Sequence, residues 1–249
     1  YGISSFCDAF RINYLIYTLG IQFFSNSSFT AGIIPFVISN EKNNIINKLI
    51  KFGFIISIIY LFIFLIINLQ SEKIFSLILP GLDKETIIIT SNLFISFGLS
   101  FILAMWMGLC MIMFNAFNIF FFFPLIQIIF SFFIILSLIS LKFFLGINFF
   151  NFLITLSIIL NLYILHFIYK NKFKKYLDNH FSNIKNSLTD VTKNTLPLIG
   201  TNILSIILTI LVYRYLSMLG TGSISIWGYV SKLSIIAFFI PMIFSNILF

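Results

Sequence analysis

The chain has 249 residues, of which 60% are hydrophobic and only 9% are charged, and its mean hydropathy is +1.09. A soluble domain carries roughly 25% charged residues, so this composition excludes a water-soluble globule and predicts an integral membrane protein. The net charge of +8 does not indicate a nucleic-acid partner, because the basic residues flank apolar runs, as they do beside membrane spans.

Seven apolar runs follow one another along the chain. A crossing helix needs about 20 apolar residues, whereas β-barrel strands would alternate polar and apolar residues, which these runs do not. The sequence therefore predicts an all-α, polytopic helical bundle with spans at 8–38, 48–69, 87–113, 118–141, 147–169, 195–219 and 224–249. The first run exceeds one crossing and holds polar residues 25–28 before Pro35, so we expect a kink there or a turn toward a hydrated cavity.

The charges in the loops predict the orientation of the bundle. The loop after the first span carries three lysines and one glutamate, and the 170–193 loop carries six lysines against two aspartates. The 70–86 loop on the opposite side has more acids than bases, and the 220–223 turn is uncharged. The positive-inside rule therefore places the first two loops in the cytoplasm and residue 1 outside.

Both ends of the sequence suggest a piece of a longer protein. The chain begins without Met or a signal peptide and stops at Phe249 inside an apolar run. An odd number of spans that starts outside predicts at least one further helix before Tyr1. We therefore expect a fragment of a larger, transporter-like protein.

Four ionisable residues fall within the predicted spans, where charges are costly and usually functional: Asp8, Arg11, Arg214 and Lys232. Asp8 and Arg11 are three residues apart on one helix face, so they can pair, either at a site or as a structural pair near the interface. Arg214 lies about 9 Å below the outer end at 1.5 Å per residue, within reach of the headgroups by snorkelling. Lys232 lies about 13 Å deep by the same rise, which favours a hydrated site.

The three cations lie in the outer half and predict an anionic ligand, most naturally a phosphate or pyrophosphate.

The sequence carries no motif for metal binding, nucleotide binding or catalysis. No His, Cys or acidic cluster has metal-ligand spacing, no phosphate-binding Walker loop occurs, and no catalytic pair is arranged. We therefore predict no metal, no cofactor and no enzymatic activity.

Four segments carry a family resemblance: Asp8-Ala9-Phe10 followed by Phe29-Thr30-Ala31-Gly32-Ile33-Ile34-Pro35, then Leu79-Pro80-Gly81-Leu82, then Phe114-Asn115-Ala116 with Pro124, and finally Gly222-Ser223-Ile224-Ser225 with Tyr229-Val230-Ser231-Lys232-Leu233. In this order and spacing they resemble the MurJ (MviN) lipid II flippases of the multidrug/oligosaccharidyl-lipid/polysaccharide exporter superfamily. The match runs over essentially the whole chain. Lys232 stands where the family has a functional arginine, whereas Ile21 and Gln22 replace a basic pair and Tyr17 replaces a proline.

The resemblance implies a two-lobed, alternating-access bundle in the bacterial inner membrane. Residues 1–169 would be first-lobe helices, 170–193 a basic cytoplasmic loop that lies on membrane lipids, and 194–249 the start of the second lobe. The implied activity is the flipping of an undecaprenyl-pyrophosphate-linked sugar, lipid II, from the inner to the outer leaflet during peptidoglycan synthesis. An ion gradient or the membrane potential would drive it.

The expected partner is thus a lipid-linked glycan pyrophosphate. The candidate substrate-binding residues are Lys232, Arg214, Arg11, Gln22, Asn26 and Ser28, with Asp8 in support. Three alternatives stay open: a flippase for another lipid-linked oligosaccharide of capsule or O-antigen export, a cation-coupled drug exporter, and a membrane assembly protein without transport. A drug exporter should carry acids at mid-membrane, and Asp8 lies near the end of its span.

Overall fold

A computed structural model describes residues 4–25, 42–116, 122–142, 146–168 and 185–233. The described part is helical apart from a few turn residues and contains no strand. The helices are α1 (Ser5–Ser25), α2 (Lys42–Leu69), α3 (Ser71–Ile78), α4 (Lys84–Ala116), α5 (Phe122–Lys142), α6 (Gly146–Ile168), α7 (Lys185–Ser217) and α8 (223–233). The prediction of an all-α protein is therefore confirmed.

Three helical stretches are long and apolar enough to cross a membrane: Lys84–Met111, Gly146–Phe167 and Gly200–Ser217. The bent pair α2–α3 makes a fourth if it is counted as one span, and Leu125–Leu141 is a shorter apolar stretch. These lengths and compositions are those of a helical membrane protein. The predicted spans 8–38, 118–141 and 224–249 each include residues outside the described part, and so does the predicted kink before Pro35.

The outer surfaces of three helices carry large apolar side chains that water would not accommodate. Phe62 on α2, Tyr163 on α6 and Leu208 on α7 are each more than half exposed. Contiguous exposed apolar surface of this kind marks a contact with lipid or protein. On apolar helices of this length, we interpret it as the lipid-facing surface.

The core of the bundle is the packing of α1 against α4, the most extensive helix pair in the described part. Gly20 permits it, because a Cβ there would lie 2.8 Å from the carbonyl oxygen of Phe101. Asn13 is fully buried and donates from Nδ2 to the carbonyl oxygen of Thr90 at 3.0 Å. Helices α5 and α6 complete the same apolar core through buried residues that include Ile126, Phe130, Phe150 and Ile154.

Hydrogen bonds made by polar side chains also join neighbouring helices. Asn151 of α6 donates to the carbonyl oxygen of Asn92 at 2.8 Å and accepts from the hydroxyl of Ser96 at 2.7 Å, both on α4. The indole of Trp106 on α4 donates to the hydroxyl of Ser57 on α2 at 3.1 Å. Such bonds hold helices together in lipid, where apolar burial between them provides little driving force.

Helix α3 differs from the prediction, which placed residues 70–86 in a loop. The chain bends by 91° after Leu69, and α3 follows as a separate short helix. Its charged residues Glu72 and Lys73 are exposed, while Phe75 is buried edge-on against Phe94 of α4 with ring centroids 5.5 Å apart. The search for apolar runs did not detect this helix, because its charged residues interrupt the run and only one of its faces is apolar.

Three segments meet at one end of the bundle: the start of α1, the 79–82 turn and the 218–222 turn between α7 and α8. Gly81 lies so close to Ser217 that a Cβ would be 2.1 Å from the carbonyl oxygen of Ser217. Ile224 is fully buried in a cluster with Ile12, Phe64, Phe75, Leu79, Leu82 and Phe94. We call this end of the bundle the Asp8 end. The predicted topology likewise places these three segments on one side, which it identifies as the outer side.

Candidate functional site

Asp8 caps the first turn of α8 from a distant part of the chain. Its side chain is fully buried, and one carboxylate oxygen accepts from the backbone N–H of Gly222 at 2.5 Å. The other oxygen accepts from the backbone N–H and the hydroxyl of Ser225, at 2.8 and 2.6 Å. Because the first N–H groups of a helix have no intrahelical partner, a carboxylate there satisfies them and complements the helix dipole.

The predicted pairing of Asp8 with Arg11 is therefore wrong. Both carboxylate oxygens of Asp8 are engaged by α8, and no ion pair joins the two side chains within the described residues. The spacing rule identified the nearest charge on the same helix. The better partner is a set of three aligned donors that forms only when α8 folds against α1.

The turn before α8 has the shape that this capping requires. Gly220 and Gly222 have φ values of 101° and 91°, a backbone conformation that side chains disfavour. Ser223 reinforces the turn with a hydroxyl that donates to the carbonyl oxygen of Gly220 at 2.8 Å. The glycines thus let the chain reverse after α7 and direct the N–H of Gly222 at Asp8.

Arg11 meets α8 one turn further along. The guanidinium carbon lies 5.8 Å from the centre of the Tyr229 ring, within the range of a cation–π contact. It also lies against Gly228, where a Cβ would be 1.9 Å from Nε of Arg11. Since Asp8 meets the start of α8 and Arg11 meets its next turn, the two helices run side by side in the same direction.

A cavity of about 350 Å³ opens beside Arg11, between α1, α5 and α8. Its walls are mostly apolar, and Arg11 supplies the positive charge among its lining residues, which are Phe6, Cys7, Phe10, Arg11, Leu138, Leu141, Ser225 and Tyr229. Apolar walls around a single guanidinium suit a ligand with an anionic group and a hydrocarbon part.

Lys232, the deepest predicted cation, is exposed on α8. It follows Gly228 by four residues and Ser225 by seven, so helical periodicity places it on the face of α8 that meets α1. At 1.5 Å per residue it lies about 6 Å further along the helix than Gly228. Lys232 is not among the residues that line the cavity beside Arg11.

The other predicted site residues are more dispersed. Arg214 on α7 and Gln22 near the end of α1 are both exposed. No hydrogen bond, ion pair or ring contact links their side chains to Asp8 or Arg11 within the described residues. Asn26 and Ser28 lie outside the described residues. Their assignment to a substrate site stays a prediction.

Four residues of this site escaped the analysis of single charges: Gly222, Ser225, Gly228 and Tyr229. A sequence signal for them exists, because three of the four stand in the last segment that resembles the flippase family.

The described part of the chain holds no group of three or more His, Cys, Asp or Glu side chains that could bind a metal ion.

No family model, curated protein or solved structure matches this chain. Similarity to a characterised protein therefore assigns no residue role, and the roles above follow from contacts alone. The contacts define a cationic cavity in a helical membrane protein, next to an end where α1 and α8 are joined.

Proposed function

We propose that the protein is a flippase that carries an undecaprenyl-pyrophosphate-linked sugar, lipid II, from the inner to the outer leaflet of the bacterial cytoplasmic membrane. The observation that carries the proposal is the position of Arg11. It lies in a largely apolar cavity, about one turn along α1 from Asp8, whose carboxylate bonds the start of α8 and closes this end of the bundle. The resemblance of four segments to the MurJ family supports the same activity.

The chemistry of the substrate explains why cations would lie there. A pyrophosphate that leaves water must meet positive charge, and guanidinium and ammonium groups supply it by charge-assisted hydrogen bonds. A charge inside a membrane protein is costly unless it serves a site or finds a partner. Arg11 and Lys232 can bind the two phosphates while the lipid tail stays in the bilayer.

Alternating access needs an end that can open, and the contacts at the Asp8 end suit this role. The link between α1 and α8 there consists of hydrogen bonds that one carboxylate accepts and of the burial of Ile224. Both can be lost without unfolding either helix. In our proposal this end faces outside, and its separation releases the glycan to the outer leaflet.

A cation-coupled drug exporter is less well supported. Such a protein needs an acid that faces its cavity, and Asp8 instead directs both carboxylate oxygens at the start of α8. A flippase for another lipid-linked oligosaccharide shares the pyrophosphate and the tail, so the test must distinguish the sugars.

The test is rescue of a bacterium depleted of its own lipid II flippase by the complete protein, with outer-leaflet lipid II labelled in parallel. We expect rescue by the unchanged protein and by Lys232→Arg, and loss of rescue with Lys232→Ala. Lys73→Ala is the matched control, because Lys73 is exposed on α3, away from the cavity. It should rescue fully.

Two outcomes would overturn the proposal. If every form reaches the membrane and none restores growth, lipid II is not the substrate, and capsular or O-antigen glycans are tested next. If Lys232→Ala rescues as well as the unchanged protein, no cation is needed at that position. A membrane assembly protein without transport would give the first result, because it could not restore lipid II to the outer leaflet.

A further inference from the structure

We propose that the cavity beside Arg11 is a binding site for an anionic phospholipid of the leaflet at the Asp8 end. The phosphate would lie on the guanidinium of Arg11, and an acyl chain would run along Leu138 of α5. The proposed function uses the same cavity, but a bound phospholipid needs only the closed arrangement described above, in which the transported glycan is absent. The two proposals can therefore fail separately: the lipid-binding assay can fail while the flippase test succeeds, and the flippase test can fail while the lipid-binding assay succeeds.

The charge balance of the cavity calls for an anion. Asp8 is the nearest acid on the same helix, and its carboxylate is taken up by the N–H groups at the start of α8. Within the described residues Arg11 has no ion-pair partner, and its guanidinium lies against the Tyr229 ring and the backbone at Gly228. A guanidinium in apolar surroundings gains most from a phosphate, which it can bind through two parallel hydrogen bonds.

The depth of the cavity matches a lipid phosphate. Arg11 follows Asp8 by three residues, so it lies about 4.5 Å along α1 from the Asp8 end. The α5 residues in the wall, Leu138 and Leu141, belong to the last turns of a helix that ends at Lys142. The cavity is therefore at the end of the spans, where headgroup phosphates lie, and not at mid-membrane.

The walls continue into the surface that faces lipid. Leu138 lines the cavity and is 37% exposed, and its neighbours Ile135 and Ile139 on α5 are exposed as well. A chain that leaves the cavity over Leu138 therefore enters the bilayer without crossing polar surface. This continuity is what a phospholipid, fixed by its phosphate and free at its tail, requires.

The volume favours a phospholipid over the transported glycan. At about 350 Å³ the cavity is near the small end of the range of roughly 300–1,000 Å³ that ligand pockets occupy. A phosphate with the start of one chain suits that size better than a sugar-bearing pyrophosphate does. We therefore assign the closed cavity to the simpler lipid.

The test is native mass spectrometry of the purified full chain, with phosphatidylglycerol, phosphatidylcholine and undecaprenyl phosphate added in equal amounts. We expect phosphatidylglycerol to be retained preferentially and Arg11→Gln to lower its apparent affinity about tenfold, the loss of one charge-assisted hydrogen bond. Lys73→Gln removes a cation on α3, outside the cavity, and should change nothing. Leu138→Trp, which fills the cavity mouth and keeps Arg11, should also weaken retention.

Cys7 supplies a second measurement that does not depend on the folding of these variants. It lines the cavity, so phosphatidylglycerol should slow its reaction with a maleimide in a Cys110→Ser background. Equal retention of phosphatidylglycerol and phosphatidylcholine, or an unchanged affinity in Arg11→Gln, would overturn the proposal. Selective retention of undecaprenyl phosphate in place of phosphatidylglycerol would also overturn it and assign the cavity to the transported lipid.

Discussion

The carboxylate of Asp8 accepts a hydrogen bond of 2.6 Å from the hydroxyl of Ser225, a residue 217 positions later in the chain. The bond fastens the first turn of α1 to the first turn of α8, and the backbone N–H groups of Ser225 and Gly222 strengthen it. A charged cap on a helix end, supplied by another helix and fully buried, makes the stability of this end sensitive to one side chain.

Asp8→Ala should destabilise the protein by about 1–3 kcal/mol, because it leaves buried N–H groups of α8 without an acceptor. Asp8→Asn should cost less, since one oxygen remains, and Ser225→Ala should cost least, since the backbone bonds survive. Thermal unfolding of the purified protein in detergent measures the order. Glu72→Gln, an exposed acid on α3, is the control and should be neutral. Equal stabilities of Asp8→Ala and the control would contradict a structural role for the cap.

The sequence predicted the importance of Asp8 but not its partner, and the reason is physical. A carboxylate within a membrane span is costly, so its presence alone indicates a role. Its local neighbour Arg11 is visible from spacing, whereas the free N–H groups of α8 become available only through the tertiary fold. Helix α3 was missed for another reason, because its charged residues interrupt the apolar sequence and only the face that carries Phe75 packs against α4.

The helical class of the protein was easier to predict than its individual spans, because one physical quantity decides it. Long apolar runs must form helices in lipid, where every backbone group needs an internal partner. The close contacts at Gly81 and Gly228 follow from how whole helices approach one another. A glycine alone does not reveal which side chain will occupy the space beside it.

Gly222→Ala should destabilise the protein more than Gly220→Ala. Both glycines have positive φ, and an alanine there costs about 1–2 kcal/mol by backbone strain. Gly222 also directs its N–H at Asp8, so a shift of its backbone weakens the cap, whereas a Cβ at Gly220 would meet nothing within 4 Å. Unfolding in detergent should show the difference, and an Asp8→Ala background should abolish it. A difference that persists in that background would mean that the cap is not its source.

Asn151→Ala should cost more than Ser57→Ala, although each breaks contacts between α4 and one neighbouring helix. Asn151 uses both ends of its amide, on the carbonyl oxygen of Asn92 and the hydroxyl of Ser96. Ser57 loses only the bond from Trp106 between helices. Interhelical hydrogen bonds in membranes average about 0.6 kcal/mol and reach about 1.7 kcal/mol. We therefore expect Asn151→Ala to cost an amount in the upper part of that range and Ser57→Ala an amount in the lower part. Chemical unfolding in mixed micelles would measure both, and the reverse order would disprove the account.

Gly228→Ala should disturb the contact of α1 with α8, although alanine is the better helix former. A Cβ at position 228 would lie 1.9 Å from Nε of Arg11, so the guanidinium must leave the helix surface and lose its position over Tyr229. The control is Gly200→Ala on α7, where a Cβ would meet nothing within 4 Å and stability should rise by about 0.5–1 kcal/mol.

The decisive comparison is a double-mutant cycle with Arg11→Ala. If the clash with Arg11 is the cause, Gly228→Ala should destabilise the unchanged protein and become neutral or stabilising once the arginine side chain is removed. Unfolding midpoints of the four forms give the coupling free energy directly. Equal effects in both backgrounds would show that the Gly228 face of α8 meets something other than Arg11, and the side-by-side arrangement of α1 and α8 would need revision.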